Sequence, residues 1–339
     1  MTNTSATSET SRAWPTRSWA PVSLTEYLPP PSRHVSFPSN SIPDASMAFD
    51  DLPAQPPIYP EQAEAYAEQA LRLSREAALR TRCVLDIPYG DDYWQKIDVY
   101  QPDEPGEGLP VLVFAHGGAW SHGYKEWMGL MAPAIVATPA IFVSVSYRLA
   151  PAVRFPAPLD DCVAALRWVR DHIADYGGSG DRIYVGGHSA GGHLFALATL
   201  RRDVLARAGL AADTIKACFP VSSQLNLVFD TPEPGSGEAR IYEIFLAQAE
   251  DAPAASPLHQ LEGNRTPFFI SYGERDFPRI IASSRRVIEE LARQPSGVRS
   301  AIYAAHGHFD TALGLADADH PWNREVRAWL REGTAPALG

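Results

Sequence analysis

The sequence predicts an α/β fold in which a mostly parallel central sheet is flanked by helices. Short apolar runs alternate with amphipathic stretches from residue 83 to residue 331, the order expected of strands and crossover helices. The first two runs follow each other with no helix between them, so the sheet is expected to begin with antiparallel strands. The composition agrees, because 45% of the 339 residues are hydrophobic and 20% are charged, the proportions of a folded globular chain.

Eight apolar runs are predicted as strands from their length and from the turn residues that flank them. They are residues 83–87, 96–100, 111–115, 141–145, 183–185, 217–221, 268–272 and 301–304. Stretches whose apolar residues recur at helical spacing are predicted as helices. They are residues 60–81, 124–136, 159–174, 190–207, 279–293 and 323–331.

The chain is predicted to hold one folded domain, residues 61–335, preceded by an arm, residues 1–60. The arm is dense in Pro, Ser and Thr and shows neither helical nor strand periodicity. Its aromatic residues are expected either to dock on the body or on a second subunit of a homo-oligomer, or to stay disordered. They are Trp14, Trp19, Tyr27 and Phe37. Residues 224–266 interrupt the alternation, which predicts a small helical cap over the site or an ordinary surface excursion.

Charge and cysteine content exclude several classes of function. The net charge of −11 and the absence of any Lys/Arg-rich run argue against a nucleic-acid partner. The three cysteines, Cys83, Cys162 and Cys218, lie far apart in apolar stretches, which predicts buried thiols and a reducing, cytoplasmic setting. The most apolar stretch, residues 131–145, is interrupted by Pro133 and Pro139, so no membrane span is expected.

The pentapeptide Gly187-His188-Ser189-Ala190-Gly191 points to a nucleophile. It follows one predicted strand and opens a predicted helix, which is the context that a G-x-S-x-G nucleophile elbow requires. Glycines are needed there because side chains two residues either side of the serine would collide with neighbouring elements on this strained turn. Ser189 is therefore the predicted nucleophile, with an ordinary Gly-rich turn as the alternative.

Residues 116–120, His-Gly-Gly-Ala-Trp, follow the third predicted strand and are interpreted as an oxyanion loop. Backbone N–H groups approach a developing oxyanion only where no bulky side chain intervenes. The predicted donors are the N–H groups of Gly117, Gly118, Ala119 and Ala190. His116 is predicted to brace this loop rather than to act as a base.

A serine hydroxyl needs an imidazole to take its proton, and the imidazole needs a carboxylate to orient it. In this type of fold the partners follow in the order serine, acid, histidine. The loop after the last predicted strand offers His308, the predicted base, and His306 as the alternative. The turn after the preceding strand offers Asp276, the predicted acid, and Glu274 as the alternative.

Three further residues of the site and its surroundings complete the prediction. Trp120 is the last residue of the oxyanion loop and His188 directly precedes the nucleophile, and both are predicted to contact substrate. Asp310 is expected to anchor the loop that carries His308. The pattern His306-x-His308 lacks a third ligand in the sequence, so no metal and no cofactor are predicted.

These motifs resemble two branches of the α/β hydrolases. Residues 116–120 (HGGAW), 187–194 (GHSAGGHL) and 308–310 (HFD), with 96–100 (KIDVY) upstream, are similar to the kynurenine formamidase (arylformamidase) family. Residues 147–151 (YRLAP), 155–157 (FPA) and 160–162 (DDC) resemble the hormone-sensitive-lipase-like esterases. The latter typically have a third glycine where this chain has Ala119 and an acidic residue where it has His188.

The resemblance implies an α/β-hydrolase fold with a small cap and a serine hydrolase that acts through an acyl-enzyme. The first family implies cleavage of N-formylated aromatic amides, and the second implies cleavage of small carboxylic esters. Acyl transfer on the same three residues, or a non-catalytic binding protein of this fold, are the alternatives. The expected partner is a small-molecule ester or amide.

Overall fold

The computed structural model describes residues 49–57, 60, 62–104 and 106–333. Their centre is an eight-stranded sheet with the strand order β1-β2-β4-β3-β5-β6-β7-β8. The pairs β1–β2 and β2–β4 are antiparallel and all other pairs are parallel. The strands are β1 Arg82–Pro88, β2 Lys96–Gln101, β3 Leu109–Ala115, β4 Ile141–Val145, β5 Gly178–His188, β6 Ile215–Val221, β7 Phe268–Gly273 and β8 Val298–Tyr303. Each predicted strand is found, and the antiparallel start is confirmed.

Helices cover both faces of the sheet. They are α1 Gln62–Ala78, α2 Ala132–Val136, α3 Ala157–His172, α4 Ala190–Leu200, α5 Arg202–Arg207, α6 Gly237–Arg240, α7 Pro278–Leu291, α8 His308–Leu313 and α9 Pro321–Glu332. Two predicted helices were too long. The stretch 124–136 consists of two 3₁₀ turns and α2, and the stretch 190–207 breaks at Arg201, whose ψ of 76° leaves the helical region.

The sheet is buried on both faces because successive side chains of a strand point to opposite sides. In β3, Val111 and Val113 pack into the core formed with α3 and α4. Leu112 and Phe114 pack into the core on the other side, formed with α1, α2 and α9. The carboxyl ends of the parallel strands are thereby left as the edge where side chains from several loops meet.

A buried ion cluster joins β1 and β2 to the 3₁₀ turn that follows β3. The ammonium of Lys125, whose side chain is 2% exposed, lies 2.9 Å from the Asp98 carboxylate and 3.0 Å from that of Asp86. It also contacts Glu126, and burial raises the pKa of that carboxyl to about 7. The two buried carboxylates, Asp98 and Glu126, therefore depend on one buried cation, whereas Asp86 is partly exposed and also lies 3.6 Å from Lys96.

Removing this cation is expected to cost far more than removing an exposed one. Lys125→Met strands the Asp98 and Glu126 carboxylates in the interior, so we expect the free energy of unfolding to fall by about 3–5 kcal/mol. Lys216→Met, which removes a partly exposed pair with Asp213, is expected to change it by less than about 1 kcal/mol. Urea unfolding of both variants measures the difference, and equal losses would contradict the role given to Lys125.

The folded domain begins earlier than the predicted boundary at residue 61. Phe49 is buried, and the Gln55 side chain exchanges two hydrogen bonds with the backbone of Gly123, at 3.0 and 2.9 Å. The His122 ring lies within hydrogen-bond distance of the Pro56 carbonyl, at 3.1 Å. Residues 49–57 are thus part of the body. The aromatic residues of the predicted arm, Trp14, Trp19, Tyr27 and Phe37, lie outside the described residues.

Residues 224–266 form the excursion that was predicted as a cap. Within it the structure shows α6, a π-helical turn at Ile241–Phe245 and 3₁₀ turns at Ala249–Asp251 and Pro257–His259.

Elsewhere, the free thiols of the three cysteines are buried, as predicted. Within the described part of the chain, no helix combines the length and the apolar character that crossing a membrane requires. A cytoplasmic location stays a prediction.

Candidate active site

Ser189, His308 and Asp276 form one chain of hydrogen bonds at the carboxyl edge of the sheet. The Nε2 atom of His308 lies 3.0 Å from the Ser189 hydroxyl, and its Nδ1 atom lies 2.8 Å from Asp276 Oδ1. The three residues follow β5, β7 and β8. Because β5, β6, β7 and β8 are consecutive parallel strands of the sheet, their carboxyl ends lie along one edge and bring the three loops together. The structure therefore unites the three side chains predicted from the sequence.

The turn that carries Ser189 is strained in the way the motif predicts. Ser189 has a φ of 52° and a ψ of −116°, a conformation that side chains rarely adopt, and its N–H donates to the Val221 carbonyl at 2.9 Å. A Cβ on Gly187 would lie 2.3 Å from the backbone of Gly191. A Cβ on Gly191 would lie 2.2 Å from the Ala115 carbonyl oxygen. Glycine is therefore the residue that lets the turn pack against β3.

Asp276 is nearly buried, and its surroundings favour the carboxylate. Burial alone would raise its pKa, but hydrogen bonds from His308 and from the Phe277 N–H, the latter at 2.7 Å, hold the pKa below its ordinary value. An ionised carboxylate then faces the Nδ1 atom of His308. This is the arrangement that fixes the imidazole with its proton on Nδ1 and its lone pair toward the serine.

The alternatives to the base and the acid have other partners. The Glu274 carboxylate accepts from the Ala305 N–H at 2.9 Å. The His306 ring lies 2.9 Å from the Ala304 carbonyl. Asp310 accepts from the Gly307 N–H at 2.7 Å, which anchors the loop as expected. The geometry therefore favours Asp276 over Glu274 and His308 over His306.

The predicted oxyanion loop turns back on itself beside Ser189. Gly118, Ala119 and Trp120 all have positive φ values, 112°, 51° and 60°. A Cβ on Gly118 would lie 2.1 Å from the His122 carbonyl oxygen, so this close turn requires glycine. Within the described ranges, no acceptor is found for the N–H groups of Gly118 and Ala119.

Gly117 and His116 play a different part in this loop. The His116 ring donates from Nδ1 to the Gly117 carbonyl at 2.7 Å and stacks on Tyr147 at 4.4 Å, so it braces the loop as expected. Gly117 is packed against Ser189 and His188 and is not part of the cavity wall. Its predicted place among the oxyanion donors is therefore less well supported than those of Gly118, Ala119 and Ala190, which line the cavity.

A cavity of about 620 Å³ opens over Ser189 and His308. Trp120 and His188, the two predicted substrate contacts, both belong to its wall. Other wall residues were missed in the sequence, because they sit in α1, in the 3₁₀ turn after β3, in the cap and in α7, where no motif marks them. They include Ala63, Tyr66, Trp127, Ile241, Arg240, Arg279 and Ile280. A second cavity of similar volume lies at the cap and is lined by none of the three site residues.

Two buried histidines hold residues of the active site in place through hydrogen bonds. His193 accepts from the Trp120 indole N–H at 3.1 Å, and its Nε2 lies 2.7 Å from the Ala255 carbonyl, so the ring carries its proton on Nε2. His188 lies with Nε2 3.0 Å from the His308 carbonyl. Trp120 and the loop of His308 are thus held by neutral imidazoles, which the sequence did not indicate for His193.

Burial of three neutral histidines predicts a loss of stability in acid. Burial lowers the pKa of His116 and His193 to about 4, and burial with the nearby His308 lowers that of His188 to about 3. Unfolding restores their ordinary pKa near 6.5, so the unfolded chain binds more protons below that pH, and the free energy of unfolding falls as the pH falls from about 6.5 to 4. The carboxyl of Glu126, with its raised pKa of about 7, binds a proton more tightly in the folded chain. Its contribution to the pH dependence of the free energy of unfolding therefore has the opposite sign to that of a histidine.

We expect each of the three histidines to add at most about 1.4 kcal/mol per pH unit to the slope of the free energy of unfolding against pH. Urea unfolding at several pH values between 7.5 and 4.5 measures it. His193→Gln, which has no proton to take up, is expected to lower the slope by the share of one histidine. An unchanged slope in that variant would show that His193 does not titrate on unfolding.

The eight-stranded sheet, the elbow and the Ser–His–Asp arrangement define the chain as an α/β-hydrolase of the serine hydrolase superfamily. The comparisons with known proteins place it more narrowly. The family model BD-FAE matches residues 97–291, which is more than half of the chain, so the protein belongs to the BD-FAE family. The matched stretch includes the elbow, the oxyanion loop and Asp276.

Curated relatives include two esterases of Mycobacterium tuberculosis (strain ATCC 25618 / H37Rv). The chain is 33% identical to esterase LipQ over 248 residues, covering 67% of this chain and 57% of LipQ. It is 32% identical to esterase LipC over 247 residues, covering 67% of this chain and 60% of LipC. The chain therefore spans little more than half the length of these relatives.

The solved structure of an esterase from Pyrobaculum calidifontis shares the fold, with a TM-score of 0.66 at 23% identity over 80% of this chain and 92% of that one.

Proposed function

We propose that the protein is a serine hydrolase that cleaves small carboxylic esters through an acyl-enzyme. The observation that carries this proposal is the continuous hydrogen-bond chain from Ser189 through His308 to Asp276, at the floor of a cavity. The N–H groups of Gly118, Ala119 and Ala190 beside the serine supply donors for the oxyanion. Membership of the BD-FAE family and the esterase names of the relatives support the choice of ester.

The geometry supports the following sequence of events. His308 takes the hydroxyl proton of Ser189 as the Oγ atom of Ser189 bonds to the ester carbonyl carbon. The carbonyl oxygen becomes an oxyanion that faces the backbone N–H groups. The imidazolium of His308, stabilised by Asp276, then protonates the leaving alkoxide as the ester C–O bond breaks. His308 then takes a proton from a water molecule as the water oxygen bonds to the acyl carbon. The bond from that carbon to Ser189 Oγ breaks as His308 returns the proton to Oγ, which releases the acid and restores the serine. Each step uses groups of this chain and needs no cofactor.

Aryl formamides are a second candidate substrate class, carried by the similarity of residues 116–120 and 187–194 to the arylformamidases. The decisive comparison is kcat/KM for p-nitrophenyl acetate against that for N-formylkynurenine. We expect an excess for the ester. A larger value for the formamide would overturn the choice of ester and leave the nucleophile assignment intact.

Acyl transfer is tested by the products. With an added alcohol as acceptor, free carboxylic acid is expected as the main product, and a dominant transesterified product would identify a transferase. The nucleophile is tested by treating the protein with a p-nitrophenyl phosphonate and locating the adduct by mass spectrometry. The expected adduct is on the peptide that contains Ser189, and an adduct elsewhere would overturn the assignment.

A further inference from the structure

The wall of the cavity is positively charged in a chain whose net charge is −11. Arg240, in the cap, and Arg279, at the start of α7, both line the cavity that holds Ser189. Among the described residues that form this wall, none carries a carboxylate. When a substrate covers a guanidinium group, the group loses favourable hydration, and a neutral ester offers no charge to compensate for that loss.

Arg279 is held in place beside the catalytic residues. Its guanidinium lies 5.0 Å from the centre of the Phe277 ring, and that ring lies 4.7 Å from the ring of His308. Gly237 also packs against the guanidinium, since a Cβ at this position would lie 3.1 Å from Nη1. The cation is therefore fixed by its neighbours, which reduces the entropy lost when it binds an anion.

The hydrogen-bonding capacity of Arg279 is largely unused. Its Nε is buried and has no partner within the described ranges. The Glu238 carboxylate lies 4.0 Å from Nη1, at the outer limit of an ion pair, and does not line the cavity that holds Ser189. Arginine favours planar, bidentate contacts with carboxylates, and within the described residues Glu238, at 4.0 Å, is the carboxylate found near this guanidinium.

Arg240 adds a second cation on the cap side. Its side chain is exposed, and within the described part of the chain no carboxylate or carbonyl oxygen pairs with it. Its charge helps to lower the pKa of His122, another residue of the wall, behind the larger effect of burial. Both arginines therefore contribute positive charge to the cavity that holds Ser189.

We propose that the preferred substrates are esters that themselves carry a carboxylate, which Arg279 binds with support from Arg240. This inference rests on the proposed ester hydrolysis and narrows it to monoanionic esters. The carboxylate belongs either to the acyl part or to the alcohol part of the ester. In both cases the group that the guanidinium binds is a carboxylate.

Matched pairs of substrates separate charge from shape. For the acyl side, the mono-p-nitrophenyl ester of adipic acid is compared with p-nitrophenyl 6-methylheptanoate, its neutral isostere. For the alcohol side, 4-acetoxybenzoate is compared with 4-acetoxybenzamide. The measured quantity is the ratio of kcat/KM for the anionic ester to that for its neutral partner, after subtraction of the uncatalysed rate. We expect a ratio above about tenfold in one pair, and the pair that shows it identifies the side that carries the carboxylate.

Variants test the residues. Arg279→Gln is expected to reduce the ratio at least fivefold and Arg240→Gln to reduce it less, whereas Glu238→Gln is expected to raise it by removing the nearby negative charge. Arg285→Gln, on the exposed face of the same helix, is the matched control and is expected to keep the ratio of the unaltered protein. Since a ratio is compared, a general loss of activity cancels. The ratio of the unaltered protein is expected to fall in high salt.

Several results would overturn the inference. Ratios at or below one in both pairs would show that the cavity does not prefer anions, and an unchanged ratio in Arg279→Gln would remove that residue from recognition. Neutral esters cleaved by the unaltered protein and not by Ser189→Ala establish the proposed function independently of either outcome. If no ester is cleaved, binding of 4-acetoxybenzoate is measured by calorimetry on the unaltered protein and Arg279→Gln, and equal affinity rejects the arginine site.

Discussion

Replacing Ser189 with alanine is expected to lower kcat for p-nitrophenyl acetate by a factor on the order of 10⁴–10⁶. The variant keeps the cavity, His308 and Asp276 but has no oxygen to form the acyl-enzyme. Only oxyanion stabilisation and binding are left to accelerate attack by water. Steady-state kinetics at several enzyme concentrations, with the release of nitrophenolate followed at 400 nm or nearby, measure the loss.

The control for this variant is Ser300→Ala, which removes the same hydroxyl from an exposed position in β8. It is expected to keep the activity of the unaltered protein. Circular dichroism and urea unfolding show whether Ser189→Ala is folded. Should the folded variant retain more than about a tenth of the activity, Ser189 is not the nucleophile.

Replacing Asp276 with asparagine is expected to lower kcat by a factor on the order of 10⁴. The substitution keeps the shape of the side chain but removes the charge opposite Nδ1 of His308, 2.8 Å away. The amide group also presents a donor to that nitrogen, which favours the tautomer with its proton on Nε2. The ring then has no lone pair for the Ser189 hydroxyl.

Glu274→Gln is the matched control, because it makes the same change in charge two residues away. Its carboxylate accepts from the Ala305 N–H and not from His308, so we expect at most a few-fold change in kcat. Parallel kcat measurements on the two variants decide between the carboxylates. A greater loss in Glu274→Gln than in Asp276→Asn would reverse the assignment of the acid.

The strands and the three site residues could be predicted because each leaves a local mark in the sequence. Buried parallel strands appear as short apolar runs, such as residues 141–145, which the structure shows as β4. The elbow is marked by Gly187 and Gly191, since no other residue fits the space that each occupies. Asp276 and His308 were found from the order of elements, because the fold places both at strand ends.

What the sequence did not show depends on contacts between distant residues. The break at Arg201 has no glycine or proline to mark it, and helical periodicity continues across it. His193 was recognised only as part of α4, because its bonds to Trp120 and Ala255 span 73 and 62 residues. The arginines of the cavity wall look like ordinary surface charges until the cap and α7 are folded together.

Helix α1 supplies Ala63 and Tyr66 to the wall of the cavity, yet it lies upstream of residues 97–291, the stretch that the family model matches. Part of the binding surface is therefore encoded upstream of the stretch that the family model matches and upstream of Ser189, Asp276 and His308. An exchange of this helix between relatives would change which molecules fit while the reacting groups stay as they are. Differences in substrate choice among such proteins would then arise partly from residues upstream of the stretch by which the family is recognised.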